Sequence, residues 1–263
     1  MHVEKKSHTT IIAVCGKGGV GKTSISAMIT KIMAADPTKK ILSIDADPAI
    51  GLATSLGFPA ERTVDDIRND LIDRVEQGMG GDKQEIVTRL DYEVFEAINE
   101  KDNIAFLAIG RPEKDGCYCQ VNHILKDIIA SVASNFDYVI IDGEAGIEQV
   151  NRRVMEKVTH MILVSDASRK GLNVVSAIKE VSDQAIEYER AGLILNRLKD
   201  VSEREALEIP LTLELLGWIP EDNLIRQFDI KGDPLLGLPG GEAYGALREA
   251  LERMGLRPPL ETL

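Results

Sequence analysis

An apolar run, Ile11–Cys15, ends abruptly in Gly16-Lys17-Gly18-Gly19-Val20-Gly21-Lys22-Thr23, and a helical pattern takes over from Lys22 to Ala35. No other stretch restricts the fold of this chain so tightly. The glycines let the backbone curl until successive N–H groups face one centre. The N-terminus of the following helix adds its partial positive charge at the same point. A lysine and then a hydroxyl residue at the helix start complete the pattern G-x-x-x-x-G-K-[ST]. Such a strand–loop–helix unit cradles phosphates. Lys22 would reach the β- and γ-phosphates of a nucleotide, Thr23 would ligate Mg²⁺, and the loop with the adjoining Ser24 would line the site. A plain glycine-rich turn accounts for neither Lys22 nor Thr23.

The rest of the chain repeats the same alternation. Apolar runs at Thr10–Cys15, Ile41–Asp45, Ile104–Ile109, Tyr138–Asp142, His160–Ser165, Gly192–Asn196 and Leu213–Trp218 read as strands. They are rich in Ile, Val and Leu without strict alternation, as strands covered on both faces are. Helical patterns separate them at Val64–Gln77, Asn122–Ser134, Gly171–Ile186, Ser202–Glu208 and Glu242–Met254. This order predicts an α/β fold: a doubly wound, mostly parallel sheet flanked by helices. No linker marks a boundary, so residues 1–263 read as one domain. Glu61–Lys101 holds no clear strand and breaks at Gly78–Asp82. It reads as a helical insertion at about 61–101, its charged face either solvated or a partner surface.

Three aspartates end predicted strands or follow them directly: Asp45 and Asp47 in Ile44-Asp45-Ala46-Asp47-Pro48, and Asp142 after Tyr138-Val139-Ile140-Ile141. Carboxylates at the carboxyl ends of parallel strands face the ligand crevice; the alternative for each is a helix N-cap. Asn196 ends another strand and offers a donor and an acceptor to a base edge. Pro220 follows the next strand.

Charge and cysteine content narrow the function. With 31 Lys+Arg against 43 Asp+Glu, the formal charge is -12. That disfavours a nucleic-acid partner, which wants a basic face. No segment reaches the roughly 18 apolar residues of a membrane span, and the N-terminus does not read as a signal peptide. A cytoplasmic, membrane-free protein is the simplest expectation. Three cysteines are too few for a disulfide framework. Cys15, inside the first strand, reads as a small core residue. Cys117 and Cys119 form a C-x-C pair, which three randomly scattered cysteines would give only about 2% of the time. Adjacent thiolates suit a soft or borderline metal. Zn²⁺ wants four ligands and Ni²⁺ accepts a square plane of four, so one chain falls short. His123 is a third ligand or an exposed polar residue. Two pairs meeting on a twofold axis complete the set in a homodimer.

These motifs together resemble a known family. Lys17, just after the first glycine, makes the loop similar to the deviant Walker A loop of the SIMIBI class of P-loop NTPases, which includes MinD, ParA and the nitrogenase iron protein. The resemblance implies ATP/ADP binding, ATP hydrolysis and a Lys17 that reaches the partner's nucleotide across a dimer interface. It implies that Asp47 orients the attacking water in switch I, that Asp45 lies near the metal, and that Asp142 is the Walker B aspartate. Gly146, in Asp142-Gly143-Glu144-Ala145-Gly146, would sense the γ-phosphate in switch II. Asn196 would read adenine, with the Pro220 loop packed beside it. The C-x-C pair makes the chain similar to CooC-type ATPases, which mature nickel enzymes. That implies Ni²⁺ (Zn²⁺ competing) held by Cys117 and Cys119 across a dimer, and an apo carbon monoxide dehydrogenase or acetyl-CoA synthase as client. The alternatives are a MinD/ParA-like positioning ATPase and an electron-transfer ATPase like the iron protein.

Overall fold

The computed structural model describes residues 9–78, 82–111, 119–143, 154–155 and 157–259. In chain order they form β1 (Thr10–Gly16), α1 (Lys22–Ala34), β2 (Ile41–Asp45), α2 (Gly51–Leu56), α3 (Val64–Glu76), α4 (Lys83–Ala97), β3 (Asn99–Lys101), β4 (Ile104–Ala108), α5 (Cys119–Ala133), β5 (Tyr138–Asp142), β6 (His160–Ser165), α6 (Arg169–Ala185), β7 (Arg190–Leu198), α7 (Val201–Glu205), β8 (Leu215–Pro220), α8 (Asn223–Lys231) and α9 (Glu242–Arg253). The eight strands make one sheet in the order β3-β4-β2-β5-β1-β6-β7-β8. All pairings are parallel except β3 on β4, which is antiparallel. The predicted doubly wound α/β fold is the observed one.

The apolar strand runs bury both faces, and successive residues alternate between two cores. Ala13, Cys15, Leu42, Ile44, Val139, Ile141 and Leu163 face one side, against Ile67 and Leu71 of α3, Val94 of α4 and Ile129 of α5. Ile12, Val14, Ile41, Ile140, Ile162 and Val164 face the other, against Ile25, Ile29 and Ile32 of α1 and Leu247 and Leu251 of α9. Cys15 is fully buried, as its place in a central strand requires. The helices of the 61–101 segment thus supply apolar residues to the sheet's own core. α3 starts on a reciprocal capping box: Thr63 accepts from the Asp66 N–H, and the Asp66 carboxylate accepts from the Thr63 N–H.

Four local features depart from expectation. The segment expected to lack a strand ends in β3, a three-residue antiparallel edge strand with sequence Asn-Glu-Lys. Its residues are polar because an edge strand faces water and resists pairing with other chains. The turn helix α2 and the helix α8 were not anticipated. Strand β8 begins two residues later than the apolar run suggested. The sheet places β1 between β5 and β6. The chain leaves β1 toward β2 on one side and returns from β5 to β6 on the other, so the crevice opens at the carboxyl ends of these strands.

Candidate functional site

The loop after β1 occupies that crevice. Gly16 is the last residue of β1, paired with Val164 of β6. Gly21 precedes α1 with φ 88°, a left-handed conformation that favours glycine. A Cβ there would lie 2.6 Å from Asn196 Nδ2, so the position also demands a missing side chain. Lys22 is 8% exposed, and its ammonium donates to the Lys17 carbonyl oxygen at 3.3 Å. The Lys17 ammonium lies 3.3 Å from Asp166 Oδ2, just beyond β6. Burial pushes the Asp166 carboxyl up, but the Ser168 hydroxyl and Lys17 outweigh it and hold the group below the usual carboxylate range.

Asp45 and Asp142 end the adjacent strands β2 and β5 and sit opposite each other in register. Asp45 is fully buried; its oxygens accept from the Asp47 N–H at 3.1 Å and the Leu52 N–H at 2.8 Å. Burial, and then the charge of Asp142, push its carboxyl up to about 7. Asp142 Oδ1 accepts from Ser26 Oγ at 3.0 Å, and the Thr23 hydroxyl beside this carboxylate favours its charged form. Burial pushes Asp142 up to about 6 against those two hydroxyls and Lys22. Its Oδ2 is buried without a hydrogen-bond partner among the described residues. Two buried carboxylates side by side, one with an orphaned oxygen beside a threonine hydroxyl, suit a hard divalent cation with oxygen ligands. The residues present therefore fit Mg²⁺.

Asp47 is half-buried; its Oδ1 accepts from the Ala49 N–H at 2.9 Å, opening a turn rather than capping a helix. Ile50, with φ 52°, precedes α2. A cleft of about 310 Å³ continues the crevice beyond the loop, lined by Ser24, Met28, Asn196, Arg197 and Pro220 among others. Its size suits a small organic ligand. The structure thus brings together Lys17, Lys22, Thr23, Ser24, Asp45, Asp47, Asp142, Asn196 and Pro220 along one edge of the sheet.

Gly146 and Cys117 lie outside the described residues, and of Cys119 only the backbone, opening α5, is described. His123 is exposed and pairs with Asp127 at 3.7 Å. Among the described residues no group of three or more His, Cys, Asp or Glu is arranged to hold a metal, and no helix is long and apolar enough to cross a membrane. Sequence reasoning missed Ser26 and Asp166. Ser26 stands one helical turn past Thr23 on α1, a spacing that marks the same face. Asp166 carried no signal, because it meets Lys17 only through the pairing of β1 with β6.

Comparison with known proteins agrees with this geometry. The family model described as AAA domain matches residues 9–193. An uncharacterized ATP-binding protein of Methanocaldococcus jannaschii is 37% identical over 254 residues, covering 93% of this chain and 98% of its own length. The carbon monoxide dehydrogenase accessory protein CooC of Rhodospirillum rubrum is 27% identical over 257 residues, covering 93% of this chain and 97% of its own. Among solved structures, the MinC:MinD cell division protein complex of Aquifex aeolicus superposes with a TM-score of 0.66 at 25% identity, covering 96% of this chain and 98% of that one.

Proposed function

The chain belongs to the AAA domain family, and from that premise we propose that it is an ATPase that works as a homodimer and handles nickel. One observation carries the nucleotide part: the phosphate loop, the buried Asp45–Asp142 pair and the 310 Å³ cleft lie in line along one crevice. In this reading Lys22 leaves the Lys17 carbonyl for the β- and γ-phosphates. Thr23 would ligate Mg²⁺, Asp142 would hold it through water and Asp45 would lie near it; the ion would neutralise phosphate charge. Asp47 orients the attacking water, and Gly146 senses the γ-phosphate. The Asn196 amide nitrogen spends one of its two N–H groups on the Val20 carbonyl at 2.8 Å, so its oxygen and its second N–H are left for adenine, with Pro220 beside the ring. Lys17 exchanges Asp166 for the partner's nucleotide, which ties ATP to dimerisation.

Nickel is the cargo. Cys117 precedes α5 in the sequence and Cys119 opens it, and two copies of the pair give four thiolates around Ni²⁺, with Zn²⁺ as competitor. The 27% identity to CooC supports a nickel carbon monoxide dehydrogenase or acetyl-CoA synthase apo-enzyme as recipient. ATP drives this only if it binds the closed dimer better than the open form. Equilibrium dialysis of nickel with ATP tests it: the Cys117→Ala/Cys119→Ala variant should lose the bound metal, and undiminished stoichiometric binding would exclude this role. The likeness to the MinC:MinD complex supports a second reading, a positioning ATPase. Sedimentation with anionic vesicles or DNA that depends on ATP would favour it.

A further inference from the structure

Residues 196 and 197 break a rule of strand geometry. Successive side chains on a strand point to opposite faces, yet both of these reach the phosphate loop. Asn196 Nδ2 donates to the Val20 carbonyl at 2.8 Å, and Arg197 Nη1 donates to the Gly19 carbonyl at 3.1 Å. Two features allow this. Arg197 adopts a left-handed backbone, φ 60°, which is costly for a residue with a side chain. The β7–β8 pairing also shifts register between Asn196 and Leu198. Such irregularities re-aim side chains and persist where the surroundings hold them.

We propose that Arg197 is a positioning residue that, with Asn196, clamps the phosphate loop in its anion-binding curl. The argument rests on the nucleotide reading above. A peptide unit is planar and its C=O and N–H point in opposite directions. Drawing the carbonyls of Gly19 and Val20 toward β7 therefore turns the N–H groups of Val20 and Gly21 the other way, into the concavity. The guanidinium also passes over Gly21: a Cβ built there would meet Arg197 Nε and Nη2 at 3.4 Å. Among the described residues, none beyond the chain neighbours comes within 4 Å of the space a Cβ would take at Gly18 or Gly19, so their side of the loop gains little restraint from packing. Arg197 lines the adjoining cleft as well. The same two residues thus join the phosphate end of the site to its base end. Both bonds are made between protein groups alone, and a loop ordered in that way pays less to bind.

The test uses the full chain with Arg197→Ala and Arg197→Gly. The glycine variant removes the guanidinium while accepting φ 60° without strain, so it should fold. Calorimetric titration with ADP and AMP, and hydrogen exchange of the loop peptide without ligand, are the readouts. Both variants should bind ADP about 10-fold more weakly, the scale of one charged-donor hydrogen bond. AMP, which lacks the β-phosphate, should weaken by less than about 3-fold. Loop exchange should quicken in Arg197→Gly. Wild-type ADP affinity in Arg197→Gly, equal losses for ADP and AMP, or unchanged loop exchange would each overturn the clamp. Failure of the wild type to bind ADP while exchange still quickens would instead bring down the nucleotide reading, leaving the clamp as a restraint on the loop alone.

Discussion

Two glycines of the same loop should fail in opposite ways when given a methyl group. A Cβ on Gly16 would lie 2.2 Å from the Val164 carbonyl oxygen, with Val164 C and N at 3.1 and 3.2 Å. These are backbone atoms of a central strand paired on both sides, so they cannot swing away. Overpacking of a tight interior costs about 1–3 kcal/mol, and a clash with fixed backbone belongs at the top of that range. At roughly 2–4 °C per kcal/mol for a chain of this size, Gly16→Ala should melt about 6–12 °C below the wild type. A Cβ on Gly18 meets nothing within 4 Å; an exposed change of that kind stays within about 0.5 kcal/mol, or roughly 2 °C. The assay is thermal melting by circular dichroism, without and with excess ADP. The wild type should gain about 2.7 kcal/mol at a hundredfold excess of ADP over its Kd. Gly18→Ala should lose most of that gain, because the methyl occupies space next to the phosphate cradle. A Gly16→Ala melt within about 2 °C of wild type would refute the steric argument, as would a Gly18→Ala loss matching it.

Other perturbations separate holding from chemistry. The Lys17–Asp166 pair has side chains 32% and 39% exposed, so Asp166→Asn should shift the melt by less than about 0.5 kcal/mol while ATP hydrolysis persists; Lys17→Ala should abolish hydrolysis, and a phosphate-release assay checks both. Among the described residues the Asp47 side chain holds only the Ala49 N–H. Asp47→Asn should therefore leave ADP affinity intact and lower turnover about 100-fold or more, measured as kcat against Kd. Burial raises the Asp137 carboxyl, but the Lys40 N–H at 2.9 Å and the Lys39 ammonium at 3.1 Å outweigh it and hold it below its usual 3.8. A depressed acid stabilises the fold above its unfolded value and loses that contribution as pH falls through the folded one. Asp137→Asn should thus be less stable than wild type at pH 7, with the gap closing toward pH 3 in urea titrations.

Central strands were readable because buried parallel strands carry continuous Ile, Val and Leu: Tyr138–Asp142 and His160–Ser165 match their runs residue for residue. Asn99–Lys101 was not readable. A three-residue polar edge strand has no apolar signature, and it pairs only because Ile104–Ala108 lies beside it. Helix α2 escaped because one and a half turns give no periodicity; the Leu52 N–H in its first turn donates to Asp45 from another element. Lys22, Thr23, Asp45 and Asp142 announced themselves by their place after strands. Ser26 showed itself only by its helical spacing from Thr23; Asp166 and Arg197 gave no sign, since their roles depend on strand order and on one left-handed backbone.

The central position of β1 has a consequence for synthesis. Its neighbours are β5 and β6: Thr10 aligns with Tyr138, and Ile12 aligns with His160. A ribosome adding about 5–20 residues per second makes β1 on the order of ten seconds before either partner exists. During that interval the apolar run Ile11-Ile12-Ala13-Val14-Cys15 has no strand to pair with. The segment that later suspends the phosphate loop is therefore, in the nascent chain, the one most exposed to wrong partners, and the one a chaperone would most usefully cover.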